Sequence, residues 1–249
     1  MATLNQNMFH IVSDIFLDFH EKAIDQHQIP STTSYILITG NISLENKRSM
    51  LYAETLAKQY PHAKIIYNFG LAELIGKKFQ GAVDGVYTKI RYLKNVPLNL
   101  YYPKGEVIGG YDFYSTIGWP VYSNIESFEN SRLPKGTVID YTEEFYIGDL
   151  CVTDKYQRSF DYQFSIDQAN DEANLVKEWL KVDQGKQKIL ITAFGNCFSN
   201  YLIDSNYKVL PSLDLSNVIW VFGSDFRIMT KNQISVPGRD RTYCFSLVQ

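Results

Sequence analysis

The sequence predicts an α/β domain in which two mainly β layers lie between helices, and three observations predict it. An apolar run, Phe9 to Phe19, projects one carboxylate, Asp14. Four later β-rich runs of the same form break at a small residue: Tyr35 to Asn41, Lys64 to Gly70, Ile189 to Gly195, and Val218 to Ser224. Stretches of helical spacing separate the early runs, as parallel strands require. From Leu98 to Ile117 the period then switches toward two, which marks entry into a second sheet. Strand tips gathered on one edge of a sheet are where α/β proteins build sites, so a site is expected where Asp14 projects.

The elements follow in order. After the first strand, Phe19 to His27 has the mixed polarity of a loop or short helix, and His20 and His27 read as solvent-facing residues. Beyond Gly40-Asn41-Ile42, Ser43 is placed to cap a helix in which Met50, Leu51, Leu56 and Ala57 fall near helical spacing. Pro61-His62-Ala63 ends it, with His62 in an exposed turn. Past Gly70, the residues Phe79, Val83, Val86, Ile90 and Leu93 carry the spacing of an amphipathic helix covering the sheet, weakened by Gly81 and Gly85. Lys104-Gly105 and Gly109-Gly110 are turn signals between the strands of the second sheet. Ser165 and Gln168 suit a capping box that opens a helix buried along Ala173, Val176, Trp179 and Leu180. The runs Ile234 to Val236 and Tyr243 to Val248 are expected to close the second sheet. With no repeat, low-complexity tract or linker, residues 1–249 read as one domain, and a 45% hydrophobic chain of this length can fill one large sandwich.

Composition excludes several classes of function. A net charge of −3 leaves no basic footprint for a phosphate backbone, which argues against nucleic-acid binding. No apolar run approaches the roughly 20 residues of a membrane span, and no basic segment precedes an apolar core at the N-terminus. The chain therefore reads as soluble, unexported and cytoplasmic. Cys151, Cys197 and Cys244 are odd in number and far apart, as expected of free thiols in a reducing compartment.

In order and spacing the five tips resemble the motifs of the calcineurin-like metallophosphoesterases, which read D-x-H, G-D, G-N-H-E, T-H and G-H-x-H. The resemblance runs over nearly the whole chain. Asn95 to Leu98 and on through Gly110 to Trp119 resembles the family's strand pair ending in a G-x-x-x-W-like turn, and Asp171 to Leu180 resembles its penultimate helix. It implies a four-layer α-β-β-α sandwich. Residue by residue, Asp14 keeps the first aspartate, but the histidine two places on is Phe16. The G-D motif is Gly40-Asn41. In G-N-H-E, Gly70 and Glu73 remain while the two functional positions are Leu71 and Ala72. The histidine of T-H is Ala193, and the last motif reads Gly223-Ser224-Asp225-Phe226.

The family's chemistry, as the resemblance implies it, needs two cations that clamp a phosphoryl group and acidify a bridging water. Such ions are held by imidazoles and carboxylates, and Phe, Ala and Leu offer no lone pair. Asn41 and Ser224 are weak ligands at best. The expectation is therefore no catalytic residue, no metal and no cofactor, with Asp14, Asn41, Glu73 and Asp225 as vestigial positions. Phe16, Leu71, Ala72, Ala193 and Phe226 should form a dry apolar patch in place of the ions.

The function expected is that of a catalytically inactive protein-interaction module for an unidentified protein partner, as in the family's inactive members that serve as subunits of trafficking coats and replicative polymerases. The irregular segment at about 120–150 interleaves aromatic and acidic residues. Tyr141, Phe145 and Tyr146 are candidate anchors for the partner, and Glu143 and Glu144 candidate steering charges toward a basic surface. Rings that fill space left by metals are the other reading of that segment. Two further functions stay open. One is a phosphoesterase rewired around a single metal, using Asp14 and Asn41 with Asp225 or Glu73. The other is a pocket that binds a nucleotide or phosphate compound through Asn41, Ser224 and backbone amides at the tips, against the charges of Asp14 and Glu73.

Overall fold

The computed structural model describes residues 6–15, 17–18, 29–70, 72–74, 97–122, 162–195, 207–210, 213–224, 233–237 and 243–248. They form an α/β fold. The strands are β1 (Gln6–Val12), β2 (Tyr35–Ile38), β3 (Lys64–Tyr67), β4 (Leu100–Tyr101), β5 (Lys104–Ile108), β6 (Tyr111–Thr116), β7 (Pro120–Tyr122), β8 (Gln187–Thr192), β9 (Tyr207–Val209), β10 (Val218–Ser224), β11 (Gln233–Pro237) and β12 (Tyr243–Val248). Two helices, α1 (Asn46–Gln59) and α2 (Tyr162–Lys181), accompany them. The first sheet runs β12-β1-β2-β3-β4 and the second β11-β10-β8-β6-β5, while β7 and β9 pair by themselves. In the first sheet β1 to β4 are parallel and β12 is antiparallel to β1. In the second, β6, β8, β10 and β11 are parallel and β5 is antiparallel to β6.

These runs become parallel strands because both of their faces are apolar, and a parallel sheet is covered on both sides. All four residues of β2 and all six of β6 are buried. Alternation then assigns the faces. Phe9, Ile11, Tyr35, Leu37 and Ile66 of the first sheet share one cluster with Tyr111, Phe113, Ile189, Ile191, Ile219 and Val221 of the second. Ile36, Ile38, Ile65 and Tyr67 pack instead with Tyr52, Ala53, Leu56 and Ala57 of α1. Tyr114, Leu190, Trp220 and Phe222 pack with Ala173, Val176 and Trp179 of α2.

Several expectations are corrected here. Helix α1 has Glu45 rather than Ser43 at its N-cap, with no side-chain cap bond. The Ser43 hydroxyl accepts from the Glu45 N–H and donates to Asp18, whose carboxylate also accepts the Leu44 N–H. The buried face is set by Ser49, Tyr52, Ala53, Leu56 and Ala57, so Leu51, one step round from Tyr52, is 58% exposed. The helix does end before Pro61 and His62, both exposed. Helix α2 starts at Tyr162, which puts Ser165 inside it rather than at a cap. Gly109-Gly110 makes the expected turn, but Gly105, at φ 86°, sits in a bulge between Lys104 and Glu106 within β5.

The largest correction is β12. It pairs with β1, from Gln6 opposite Val248 to Ile11 opposite Tyr243, and so completes the first sheet rather than the second. An alternating run fits the edge of either sheet. In the fold β12 covers the row of backbone groups that β1 presents away from β2. The helix expected over Phe79 to Leu93 lies outside the described residues. Among the described residues no helix is long and apolar enough to cross a membrane.

Candidate functional site

All five strand tips come together. Asp14 follows β1 at φ 49°, and Gly40 and Asn41 follow β2 at φ 116° and 57°. A Cβ on Gly40 would overlap the backbone of Gly70 beyond β3, and a Cβ on Gly70 would overlap Asn41. A Cβ on Gly223, near the end of β10, would collide with the Ser13 hydroxyl, the Asp14 carboxylate and the Ala193 carbonyl beyond β8. These glycines are where they are because the tips are packed backbone to backbone, which leaves no room for a side chain.

At the centre, Asn41 joins two tips. Its amide nitrogen donates to Asp14 Oδ1 at 2.7 Å, and its Oδ1 accepts the Ala72 N–H at 3.1 Å. Both bonds fix the orientation of the amide, since rotating it would set oxygen against carboxylate and NH₂ against N–H. The Ser13 hydroxyl donates to Asp14 Oδ2 and itself accepts from the Thr39 hydroxyl at 2.7 Å. Asp14 is partly exposed, whereas Asn41 is 7% exposed.

Glu73 lies behind this surface in a 3₁₀ turn, Ala72–Leu74, and is fully buried. Its Oε2 accepts the N–H groups of Asn41 at 3.1 Å and Gly70 at 2.9 Å. Its Oε1 accepts the Ile42 N–H at 2.8 Å and the hydroxyls of Ser49 at 3.2 Å and Tyr67 at 3.3 Å. Burial, with the Glu73 charge second, pushes the Tyr67 hydroxyl well above its ordinary value. A second carboxylate does the same work at the tip of β6. Glu172 of α2 accepts the N–H groups of Ile117, Gly118 and Trp119 at 2.9–3.0 Å, together with the Thr116 hydroxyl. Asn68 ties the two sheets by donating to the Thr39 and Thr116 carbonyls at 3.0 and 2.9 Å.

The described side chains do not fit a metal pair. Asn41 turns its NH₂ toward Asp14 and commits its oxygen to Ala72, while Glu73 faces backbone donors. The Ala72 and Ala193 side chains supply no lone pair. Among the described residues there is no group of three His, Cys, Asp or Glu side chains that could hold an ion.

The structure thus brings Asp14, Asn41 and Glu73 to neighbouring positions, with Ala72 and Ala193 buried beside them at 2% exposure. Phe16, Leu71, Asp225 and Phe226 lie outside the described residues, as do His20, His27, Cys151, Cys197 and the segment with Tyr141, Glu143, Glu144, Phe145 and Tyr146. The side chains of Ser224 and Cys244 are also outside them. Sequence reasoning missed Ser13, Thr39, Asn68 and Glu172. One signal was present for Glu172, an acid interrupting the apolar series Ala169, Ala173, Val176 and Trp179 at helical spacing.

No family model matches the chain, and no curated protein matches it. Among solved structures, the crystal structure of phosphopantetheinyl hydrolase (PptH) from Mycobacterium tuberculosis is similar, with a TM-score of 0.57 over 95% of this chain and 91% of that one, at 12% sequence identity. The likeness is one of fold.

Proposed function

We propose that this chain has a metallophosphoesterase-like fold whose strand-tip site is not catalytic, and that it works by binding a protein partner. The layering we assign is α-β-β-α, which is supported by an apolar cluster between the sheets and one between each sheet and its helix. The observation that carries the non-catalytic reading is Asn41, held between the Asp14 carboxylate and the Ala72 N–H at the point where the tips converge. A metal-activated water needs a ligand cage there, and the amide fills that place with a donor.

The other two functions are less well supported by the same geometry. A single-metal phosphoesterase that recruits Glu73 would draw on a carboxylate whose two oxygens already receive five donors from the fold, while Asp225, the other candidate, lies outside the described residues. A phosphate pocket would need the amides at the tips, and those of Asn41, Ile42 and Gly70 are taken by that same carboxylate. Fold likeness to PptH, a phosphopantetheinyl hydrolase, makes a phosphopantetheinyl compound the substrate to try first.

The test is hydrolysis of a phosphopantetheinylated protein and of bis-p-nitrophenyl phosphate, with and without Mn²⁺. The rate expected is that of buffer. Activity that survives repurification and disappears in Asn41→Ala would overturn the reading. For the partner surface, alanine at Tyr141, Phe145 and Tyr146 together should abolish capture of the partners that the unaltered chain retrieves from host lysate. Unchanged capture by a folded variant places the surface elsewhere.

A further inference from the structure

We infer that Asn41 is a positioning residue that takes the place of a bridging cation, so that the strand tips are closed by an amide clamp and exclude divalent ions. The inference deepens the non-catalytic reading and rests on it. Asn41 spans two elements, since its nitrogen lies 2.7 Å from Asp14 Oδ1 after β1 and its oxygen 3.1 Å from the Ala72 N–H in the 3₁₀ turn. Its own backbone N–H is held by Glu73, and its φ of 57° is a conformation that Asn and Asp tolerate better than other side chains. One amide therefore joins β1, β2 and the turn beyond β3 without any ion.

The geometry also says what the amide excludes. A carboxylate at position 41 in the same rotamer would set two oxygens about 2.7 Å apart, close enough that both cannot stay ionised without a compensating charge. A hard divalent cation, which takes carboxylate oxygens at about 2.0–2.6 Å, is one such charge. The NH₂ of Asn41 supplies two hydrogens there instead, and these repel a cation from the oxygen it would use. Asn41→Asp is close to isosteric, keeps an acceptor for the Ala72 N–H and needs no new backbone conformation.

The experiment is thermal unfolding of the intact chain, and of N41D, N41A and D14N/N41D, in EDTA and in millimolar Mg²⁺, Ca²⁺ or Mn²⁺. The unaltered chain should show the same Tm in all four solutions. N41D should melt lower in EDTA and recover by about 5 °C or more in at least one cation, a shift of the size that near-saturating ligand gives. That recovery should vanish in D14N/N41D, and N41A should be destabilised with no cation response. An N41D protein that responds to no cation, or that stays unfolded in all of them, overturns the inference, while the outcome of the hydrolysis assay on the unaltered chain still stands. A Tm of the unaltered chain that rises with Mn²⁺ and loses the rise in D14N overturns it as well. As a check that needs no new charge, Asp14→Ala and Asn41→Ala should cost less together than the sum of their separate losses, and strict additivity would count against the clamp.

Discussion

Glu73 is a carboxylate with no solvent and five donors, three of them backbone N–H groups of the β2 and β3 tips. Its charge holds two loops in conformations that would otherwise leave buried amides unpaired, each at a cost of about 1–3 kcal/mol. Glu73→Ala should therefore lower stability by at least about 3 kcal/mol, read as a lowered urea midpoint at unchanged slope. A loss under about 1 kcal/mol would mean that water replaces the carboxylate. At this scale Asp14 and Asn41 were legible, because a β-rich run that breaks at a small residue fixes where its tip lies. The work done by Glu73 was not, because its five donors come from residues 41 to 70 and meet only through the parallel pairing of β2 with β3.

Helix α2 is fastened to the second sheet by polar contacts set within an apolar face. Asp112 of β6 is fully buried, accepts from Trp179 Nε1 at 2.9 Å and pairs with Lys188 Nζ at 2.7 Å. The same ammonium donates to the Trp179 and Val182 carbonyls at 3.1 and 2.8 Å and lies 4.5 Å from the Trp179 ring centre, so one lysine caps the helix and neutralises the strand. Lys188→Met would leave Asp112 buried without its charge partner and should cost about 3–5 kcal/mol in chemical denaturation. Glu172, midway along this helix, has its carboxylate covered by the turn after β6, whose N–H groups it accepts. Burial pushes that carboxyl above its ordinary 4.5, against the pull of the Thr116 hydroxyl, the turn's N–H groups and Lys104. A raised folded-state value means stability that is complete below pH 4.5 and declines as pH rises through the folded value. The stability of the protein relative to Glu172→Gln should therefore be greatest near pH 4 and smaller by about pH 7, and a difference that grows with pH would contradict this. The apolar face of α2 was legible from its spacing. Its true start, the bulge at Gly105 and the lysine cap were not, since each depends on a neighbour remote in sequence.

Among the described residues two five-stranded sheets, each mostly parallel with one antiparallel edge strand, meet through a shared apolar cluster. Five tips at a common edge and a second sheet within the run from Leu98 to Ile117 were readable from period and break points, but the start of that run, Leu100–Tyr101, extends the first sheet beside β3 and the second begins at Lys104. Membership of β12 was not readable, because an alternating run does not say which open edge it will join. Shortening the chain by residues 243–249 would turn β1 into an open edge, and such an edge pairs with other chains. The truncated protein should elute as soluble aggregate or be lost to the pellet at a concentration where the full chain is monodisperse, and an unchanged elution profile would refute the role given to β12. That pairing also sets a timetable. Gln6 waits for Val248, so during synthesis β1 and β2 leave the ribosome long before the strand that covers β1's other flank. The first sheet must persist half-edged while the second is being made, and its closure is the longest loop shut by any strand pair among the described residues. Folding should therefore finish with a slow step that couples β1 to β12, and a cell making this protein must guard the open flank of β1 until β12 has been made.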